Sequence, residues 1–345
     1  MSHSTEHNSR PEQSATLFIA ASETDSNLYY ATRFIAPDPF IYLEVKGERL
    51  MVMSDLEVDR ARNQATVDRV LSYSELERRA KSQGVKDPGT IDVIHLVLQD
   101  AGLKDILVPP TFPFLHASRL QEMGYRLRTK RDPFYEQRVM KSDDEVRHIE
   151  AAQRATETAV AAAHQHLRRA EIRDNVLWLD GEILTSERVK KLINVALMEC
   201  DCVAQHTIVA GGEQACDPHD EGSGPLPAHR SIIFDVFPRS AGTRYFADMS
   251  RTVVRGTPSP ELTRLYHAVK DAQEEAITKI RDGADGAAIH QGICDRFEKA
   301  GYKTRTAENG HAALASLEAA RAELVVTDMS MPEMDGLELV EKVRA

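Results

Sequence analysis

The sequence has few of the features that mark membrane-spanning or secreted proteins. Only four cysteines occur in 345 residues, too few for a disulfide framework in a chain of this length and in keeping with a reducing compartment. No apolar run approaches the roughly 18–20 residues that span a bilayer. The first fifteen residues are polar and contain no apolar stretch of the kind found in a signal peptide. We therefore expect a cytoplasmic protein without membrane contact.

The charge balance excludes a general electrostatic attraction to polyanions. The chain has 54 acidic and 43 basic residues, a formal net charge of −11, so we expect no nucleic-acid partner and no anionic membrane surface as partner. Hydrophobic residues make up 42% and charged residues 28% of the sequence, which is ordinary globular composition. At roughly 150 residues per domain, the length predicts two or three domains.

Changes in pattern divide the chain into four segments. Residues 1–14 are rich in Ser, His, Glu and Asn and are expected to form a disordered tail. Residues 15–132 alternate short apolar runs with amphipathic stretches, which predicts a layered α/β domain. A second segment, 133–304, begins with a long helix capped by Ser142 and continues with strands. The last segment, 305–345, changes character again.

Individual elements can be predicted from periodicity and end signals. Strands are expected at Thr16–Ala21, Phe40–Val45, Arg49–Met53, Asp105–Val108, Ala204–Ala210, Ser231–Phe237 and Arg244–Val254. Helices are expected at Ser54–Arg62, Ser74–Gln83, Thr90–Ala101, Ser142–Arg169, Leu184–Met198 (with Thr185 or Ser186 as its cap), Pro260–Asp282, Asp285–Lys299 and Asn309–Ala320.

Two aspartates in one predicted hairpin form the strongest candidate site. Asp235 lies on the first strand and Asp248 on the second, each flanked by apolar residues. A carboxylate set among apolar residues is costly to bury unless a cation or a metal compensates it. Two carboxylates facing each other across a hairpin can share a divalent cation through oxygen ligands. In the alternative interpretation, one aspartate pairs with Arg251 or Arg244 and the other caps a turn.

This block resembles the pita-bread metallopeptidases, the family of Xaa-Pro aminopeptidase, prolidase and creatinase. Asp235 and the motif Asp248-Met249-Ser250-Arg251-Thr252 match two of the family's five metal-ligand positions, in a hairpin about two residues longer than usual. Gln137–Ser142 with Glu145 is similar to the family's entry into the catalytic domain, and Leu184–Glu187 to its next helix start. Residues 15–132 resemble the creatinase-type N-terminal domain.

The resemblance implies a specific chemistry. A pair of Mn²⁺, Co²⁺, Fe²⁺ or Zn²⁺ ions would activate a bridging hydroxide, and the substrate would be a proline-containing peptide. His219, sixteen residues before Asp235, stands where the family places a substrate-contacting histidine, and His229 is the competing candidate. Family members often form homodimers, so a homodimer is expected by analogy.

Three of the family's ligands have no counterpart in this sequence. The family continues with a histidine in an H-G-x-G stretch and two glutamates on later strands, and none of these motifs follows Gly301. We therefore expect weak metal binding and an inactive peptidase.

From about residue 305 the sequence resembles a response-regulator receiver domain instead. Thr306–Gly310 and the stretch LVVTDMSMPEMDGLELVEKVR are close to that family's pattern, with Asp328 at the position of the phosphoacceptor. The acidic pair of the first strand and the later Ser/Thr and Lys are missing. The chain is thus interpreted as a chimera: a creatinase-like N-terminal α/β domain, an incomplete α+β pita-bread domain and a partial α/β receiver.

Other interpretations stay open at this stage. Cys200, Cys202, His206, Cys216 and His219 fall within twenty residues and have zinc-ligand chemistry, although their spacing is uncommon for zinc and ordinary thiols are the alternative. The protein is alternatively a phosphoacceptor signalling protein acting through Asp328, or a binding protein without catalysis.

Overall fold

The computed structural model describes residues 14–217, 219–302, 305, 307–319, 334, 338–339 and 342–343, and it divides the chain into two compact units, Met1–Lys141 and Ser142–Ala345. In the first unit, Phe134 and Tyr135 belong to a core formed by the residues before them. This packing explains why the first unit extends past the boundary at residue 132 that composition suggested.

The first unit is built on one mixed sheet of six strands. The strands are β1 (Ser14–Ala20), β2 (Phe40–Val45), β3 (Glu48–Met53), β4 (Arg69–Ser72), β5 (Asp105–Val108) and β6 (Arg126–Thr129). They lie in the order β4-β3-β2-β1-β5-β6, with β1–β2 and β2–β3 antiparallel and the other pairs parallel. The helices are α1 (Ser26–Thr32), α2 (Val58–Gln64), α3 (Tyr73–Ser82), α4 (Thr90–Ala101) and α5 (Phe114–Glu122).

Both faces of the central strands of this sheet are buried. Successive residues of a strand point to opposite faces, and Leu17 accordingly enters a core with α4 while Phe18 enters a second core with α1 and α2. The Phe18 ring meets Phe134 edge-on at 4.8 Å between centroids. The layered α/β arrangement predicted from the alternation of apolar runs is confirmed.

The described part of the second unit combines long helices with three small sheets. Its strands are β7 (Glu171–Arg173), β8 (Val176–Leu179), β9 (Glu182–Ile183), β10 (Cys202–Val203), β11 (Ile208–Gly211), β12 (Ile232–Val236), β13 (Arg239–Ser240) and β14 (Met249–Val253). Its helices are α6 (Asp143–Arg169), α7 (Ser186–Glu199), α8 (Pro260–Lys279), α9 (Gly286–Lys299) and α10 (Gly310–Ala319). The sheets are β7-β8-β9, β11-β12-β14 and β10-β13.

Helix α6 begins as its sequence predicts. Ser142 Oγ accepts a hydrogen bond from the Glu145 amide at 3.3 Å, and the Glu145 carboxylate accepts one from the Ser142 amide at 2.9 Å. This reciprocal pair satisfies two amides that a helix N-terminus leaves without partners. Helix α6 packs with α7 on one face of the β11-β12-β14 sheet, where Val189, Phe234 and Val236 are buried.

Of the two cap candidates for α7, Thr185 is the cap, and its side chain accepts a hydrogen bond from the Arg188 amide. Ser186 is instead fully buried, and its hydroxyl donates to the Val209 carbonyl at 2.6 Å. This bond ties the start of α7 to strand β11.

Three predicted elements begin four or five residues later than their patterns suggested. The strand expected from Ala204 starts at Ile208, because His206 has φ of 50° and interrupts the extended backbone. The helix expected from Ser54 starts at Val58, because Ser54 accepts backbone hydrogen bonds from Glu57 and Val58 in a turn. The return strand expected from Arg244 starts at Met249, because Arg244 has φ of 64° and closes a turn on Ser240. Within the segment predicted as a receiver fragment, α10 is helical as expected, and most of the remaining residues lie outside the described part of the chain.

Candidate functional site

The pairing of β12 with β14 brings the two candidate aspartates close together. Val236 lies opposite Met249, and Asp235 lies opposite Ser250. Asp248 directly precedes β14, two positions before Ser250, and its carboxyl group lies within electrostatic reach of Asp235. The face of β12 opposite to Asp235 holds the buried Phe234 and Val236. The two aspartates are therefore neighbours at the start of β14, although Asp248 lies before the strand on which the sequence predicted it. Asp235 lies on the face turned away from the α6–α7 core.

The two carboxylates differ in their surroundings. Asp235 is half-buried, and its Oδ1 accepts a hydrogen bond from the Ser250 hydroxyl at 2.7 Å. Asp248 is exposed as a residue, yet atoms around its carboxyl group remove part of its water. This desolvation raises the pKa of Asp248 above its ordinary value, and the negative charge of Asp235 raises it further. A bound cation would relieve both effects, so the pair suits a divalent metal ion.

Arginine does not provide this compensation. Within the described part of the chain, neither Asp235 nor Asp248 forms an ion pair with an arginine or lysine. The Arg251 guanidinium donates instead to the Ser250 carbonyl at 2.8 Å. The alternative in which Arg251 or Arg244 neutralises one of these aspartates is thus not what the structure shows.

The two candidate histidines have different local roles. His219 is exposed, and its backbone amide donates to Asp217 Oδ1 at 3.1 Å. The Nδ1 atom of His229 accepts a hydrogen bond from the Thr257 amide at 2.9 Å, while the His229 amide donates to the Arg255 carbonyl. His229 therefore joins two loops, which is a structural role. The assignment of His219 as a substrate contact stays a prediction.

The cysteine and histidine cluster does not assemble into a zinc site. His206 Nδ1 lies 2.9 Å from Glu221 Oε1, and Cys202 is buried while Cys200 and Cys216 are exposed. Among the residues that the structure describes, no three His, Cys, Asp or Glu side chains come together as a metal site. Among these described residues, the candidate metal site in the hairpin therefore consists of two carboxylates, those of Asp235 and Asp248. Asp328, the candidate phosphoacceptor, lies outside the described residues.

Ser250 is a member of the site that was not predicted from the sequence. The sequence does contain a signal for it, because Ser250 belongs to the Asp248–Thr252 motif and lies two positions from Asp248. Two positions along a strand return the side chain to the same face. Only the register of the hairpin, however, decides that Ser250 rather than Thr252 lies opposite Asp235.

Comparisons with known proteins give the family. The sequence profile of Metallopeptidase family M24 matches residues 147–319, half of the chain. An uncharacterized peptidase of Staphylococcus epidermidis is 30% identical over 167 residues, which are 48% of this chain and 44% of that protein. A Xaa-Pro dipeptidase of Lactobacillus helveticus is 33% identical over 100 residues, 28% of this chain and 26% of that protein. The chain belongs to metallopeptidase family M24, and its matches span less than half the length of these two relatives.

Solved structures share the fold. The X-Pro aminopeptidase from Thermotoga maritima aligns with a TM-score of 0.68 at 20% identity, covering 84% of this chain and 76% of that one. The Xaa-Pro dipeptidase from Bacillus anthracis aligns with a TM-score of 0.68 at 17% identity, covering 84% and 73%. The mixed α/β fold is thus the fold of these peptidases, and the family implies a divalent metal cofactor.

No helix among the described residues combines the length and the apolar character that a membrane span requires.

Proposed function

We propose that this chain carries two of the metal ligands, Asp235 and Asp248, of a peptidase that acts at Xaa-Pro bonds. The observation that supports the proposal is the position of Asp248, directly before β14 and within electrostatic reach of Asp235, with Ser250 bound to Asp235. Oxygen ligands from two carboxylates suit Mn²⁺, Co²⁺, Fe²⁺ or Zn²⁺ in a hydrolytic site. The name of the Lactobacillus helveticus relative, a Xaa-Pro dipeptidase, supports proline-containing peptides as the substrate class.

Each residue of the site has a distinct task in this proposal. When bound, a divalent metal polarises the scissile carbonyl and lowers the pKa of its water ligand. Asp235 and Asp248 hold the cation through carboxylate oxygens. The Ser250 hydroxyl occupies one oxygen of Asp235 and limits the rotation of that carboxylate. His219 contacts the peptide next to the bond that is cleaved.

We further propose that the chain of 345 residues, as it stands, binds metal weakly and does not hydrolyse peptides. Two carboxylates supply only part of a coordination shell, and an ion held by so few ligands keeps most of its own water. Its bound water then stays closer to the pKa of the aqueous ion than to neutrality. A homodimer and a cytoplasmic location stay predictions from the family resemblance and from composition.

The test combines metal binding with hydrolysis. Binding of Mn²⁺ to the purified chain is followed by electron paramagnetic resonance of the free ion, and cleavage of a Xaa-Pro dipeptide is assayed with Mn²⁺ or Co²⁺. We expect weak binding that is lost in Asp235→Asn and Asp248→Asn and kept in the control Asp38→Asn, an exposed carboxylate of the other unit. A Xaa-Pro dipeptidase with a complete ligand set serves as the positive control for hydrolysis.

Two results would contradict the proposal in different ways. Binding of Mn²⁺ that is unchanged in both aspartate variants would remove the hairpin as the metal site. Metal-dependent cleavage that both variants abolish would keep the site and refute its inactivity, because other residues would then have to complete it.

A further inference from the structure

The hairpin that carries Asp248 is closed by its own backbone hydrogen bonds. The Ser240 amide donates to the Tyr245 carbonyl at 2.9 Å, and the Arg244 amide donates to the Ser240 carbonyl at 3.0 Å. One step nearer the strands, the Ala247 amide donates to the Pro238 carbonyl at 3.1 Å. Tyr245 therefore belongs to the turn, and Asp248 follows it three residues later. Only Phe246 and Ala247 separate Tyr245 from Asp248 along the backbone.

A side-chain hydrogen bond ties this turn to helix α6. The Tyr245 hydroxyl donates to Glu145 Oε1 at 2.8 Å. The other carboxylate oxygen, Glu145 Oε2, accepts hydrogen bonds from the Ser142 amide at 2.9 Å and the Ser142 hydroxyl at 3.1 Å. Glu145 is only 6% exposed, so its carboxylate is a fixed point in the N-terminal turn of α6.

The hydrogen bond from Tyr245 satisfies one oxygen of the buried Glu145 carboxylate. A buried carboxylate needs donors for both of its oxygens, since an unsatisfied charged group is costly in a low-dielectric interior. The Ser142 contacts serve one oxygen, and Tyr245 serves the other. Hydrogen bonds to an ionised acceptor are stronger than those between neutral groups. The ring of His148 lies 5.4 Å from the Tyr245 ring, which confines the tyrosine further.

We infer that Tyr245 is a positioning residue of the metal site, which holds the hairpin on α6 through Glu145 and thereby fixes Asp248 relative to Asp235. The effect on cation affinity rests on the proposed function, whereas the effect on the hairpin does not. Tyr245 itself is not a ligand in this inference. It acts through the backbone of residues 245–248, in which Ala247 is buried and hydrogen-bonded to Pro238.

The test uses the full chain and the variant Tyr245→Phe, which removes only the hydroxyl. Its matched control is Tyr125→Phe in the first unit, where the lost hydroxyl lies 2.8 Å from His95 Nδ1. Hydrogen exchange of a peptide covering residues 239–248 reports on the hairpin, and Mn²⁺ affinity reports on the carboxylate pair. Thermal unfolding of both variants verifies that they fold like the parent chain.

We expect Tyr245→Phe to accelerate exchange in residues 239–248 about tenfold and to weaken Mn²⁺ binding about fivefold, as suits the loss of one charge-assisted hydrogen bond. Tyr125→Phe is expected to change neither quantity. An unchanged rate of hydrogen exchange in residues 239–248 would overturn the inference, whether or not the Mn²⁺ affinity changes. Faster exchange with unchanged Mn²⁺ affinity would overturn the role in positioning Asp248 and leave the proposed metal site intact.

A third outcome separates the two proposals. If the parent chain binds Mn²⁺ no more tightly than the double variant that carries both Asp235→Asn and Asp248→Asn, the proposed function is refuted. Faster exchange in Tyr245→Phe would then support the anchoring of the hairpin, and the consequence for metal affinity would be refuted.

Discussion

The Ser250 hydroxyl and the Asp235 carboxylate form a 2.7 Å hydrogen bond across the β12–β14 pair. The two residues are direct partners in the register and lie on the face turned away from the core. The apolar neighbours of Asp235 in the sequence suggested a deeply buried carboxylate without a partner. In the structure Asp235 is only half-buried, and Ser250 is its hydrogen-bond partner. Removing its charge is accordingly not expected to stabilise the fold.

This contact gives the first prediction. Ser250→Ala should weaken Mn²⁺ binding about threefold, because the Asp235 carboxylate loses the donor that restricts its rotation. The free energy of unfolding should fall by no more than about 1 kcal/mol, since the bond lies at the surface. Metal titration and urea unfolding measure the two effects. Thr252→Ala, on the same face two residues further on, is the control, and an equal loss of affinity in both variants would refute a specific role of Ser250.

Local sequence patterns were sufficient to predict the helix and the strand that carry the site, α6 and β12. The capping box at Ser142 and Glu145 lies within four residues, so its pattern predicts the start of α6 directly. The apolar alternation around Asp235 likewise predicts β12. The pairing of Asp235 with Asp248 followed from a hairpin, which is the simplest connection between neighbouring strands.

Contacts between segments far apart in the sequence could not be predicted from local sequence patterns. Glu145 and Tyr245 are 100 residues apart in sequence, and nothing in either segment indicates the other. The late start of β14 depended on the left-handed conformation of Arg244, a residue type that seldom adopts it. The short strands β7 and β9 have three and two residues, too few for a periodic pattern to be recognised.

The second prediction concerns proteolysis. In α8 only Ala268 and Ala272 are buried, and α9 has no buried residue. Helices that bury so little open locally at low cost in free energy. Limited trypsin digestion should therefore cut first after about residue 255, within 260–302, and leave an N-terminal fragment that contains the first unit. Mass spectrometry of the fragments identifies the sites, and uniform resistance across 255–345 would contradict the prediction.

The third prediction concerns phosphorylation of Asp328. Phosphoryl transfer to an aspartate depends on Mg²⁺ and on neighbouring groups that neutralise charge. The sequence has no acidic pair from a receiver-type first strand, so Mg²⁺ is expected to bind weakly there. Incubation with acetyl phosphate and Mg²⁺ should give no added phosphoryl group by intact mass, while a complete receiver domain treated in parallel should be modified. A clear gain of mass that Asp328→Asn abolishes would refute the prediction.

The fourth prediction follows from the environment of His164 on α6. The ring of His164 stacks on Phe234 at 5.5 Å between centroids, and its Nε2 atom is buried and has no hydrogen-bond partner within the described structure. Burial lowers the pKa of His164 below its ordinary value of 6.5, and the positive charges of Arg168 and Arg251 lower it further. The neutral imidazole is therefore the form that suits the folded protein.

The direction of the pH effect is fixed by this shift. Between the lowered pKa of the folded state and the value of 6.5 in the unfolded chain, the unfolded state binds more protons. The stability contributed by the neutral ring is thus complete above pH 6.5 and is lost as the pH falls through the folded-state pKa. Urea unfolding between pH 7.5 and 5 should show a smaller decline in His164→Leu than in the parent chain. His267→Leu, at an exposed position of α8, should decline like the parent, and parallel curves for all three proteins would show that His164 does not control this pH dependence.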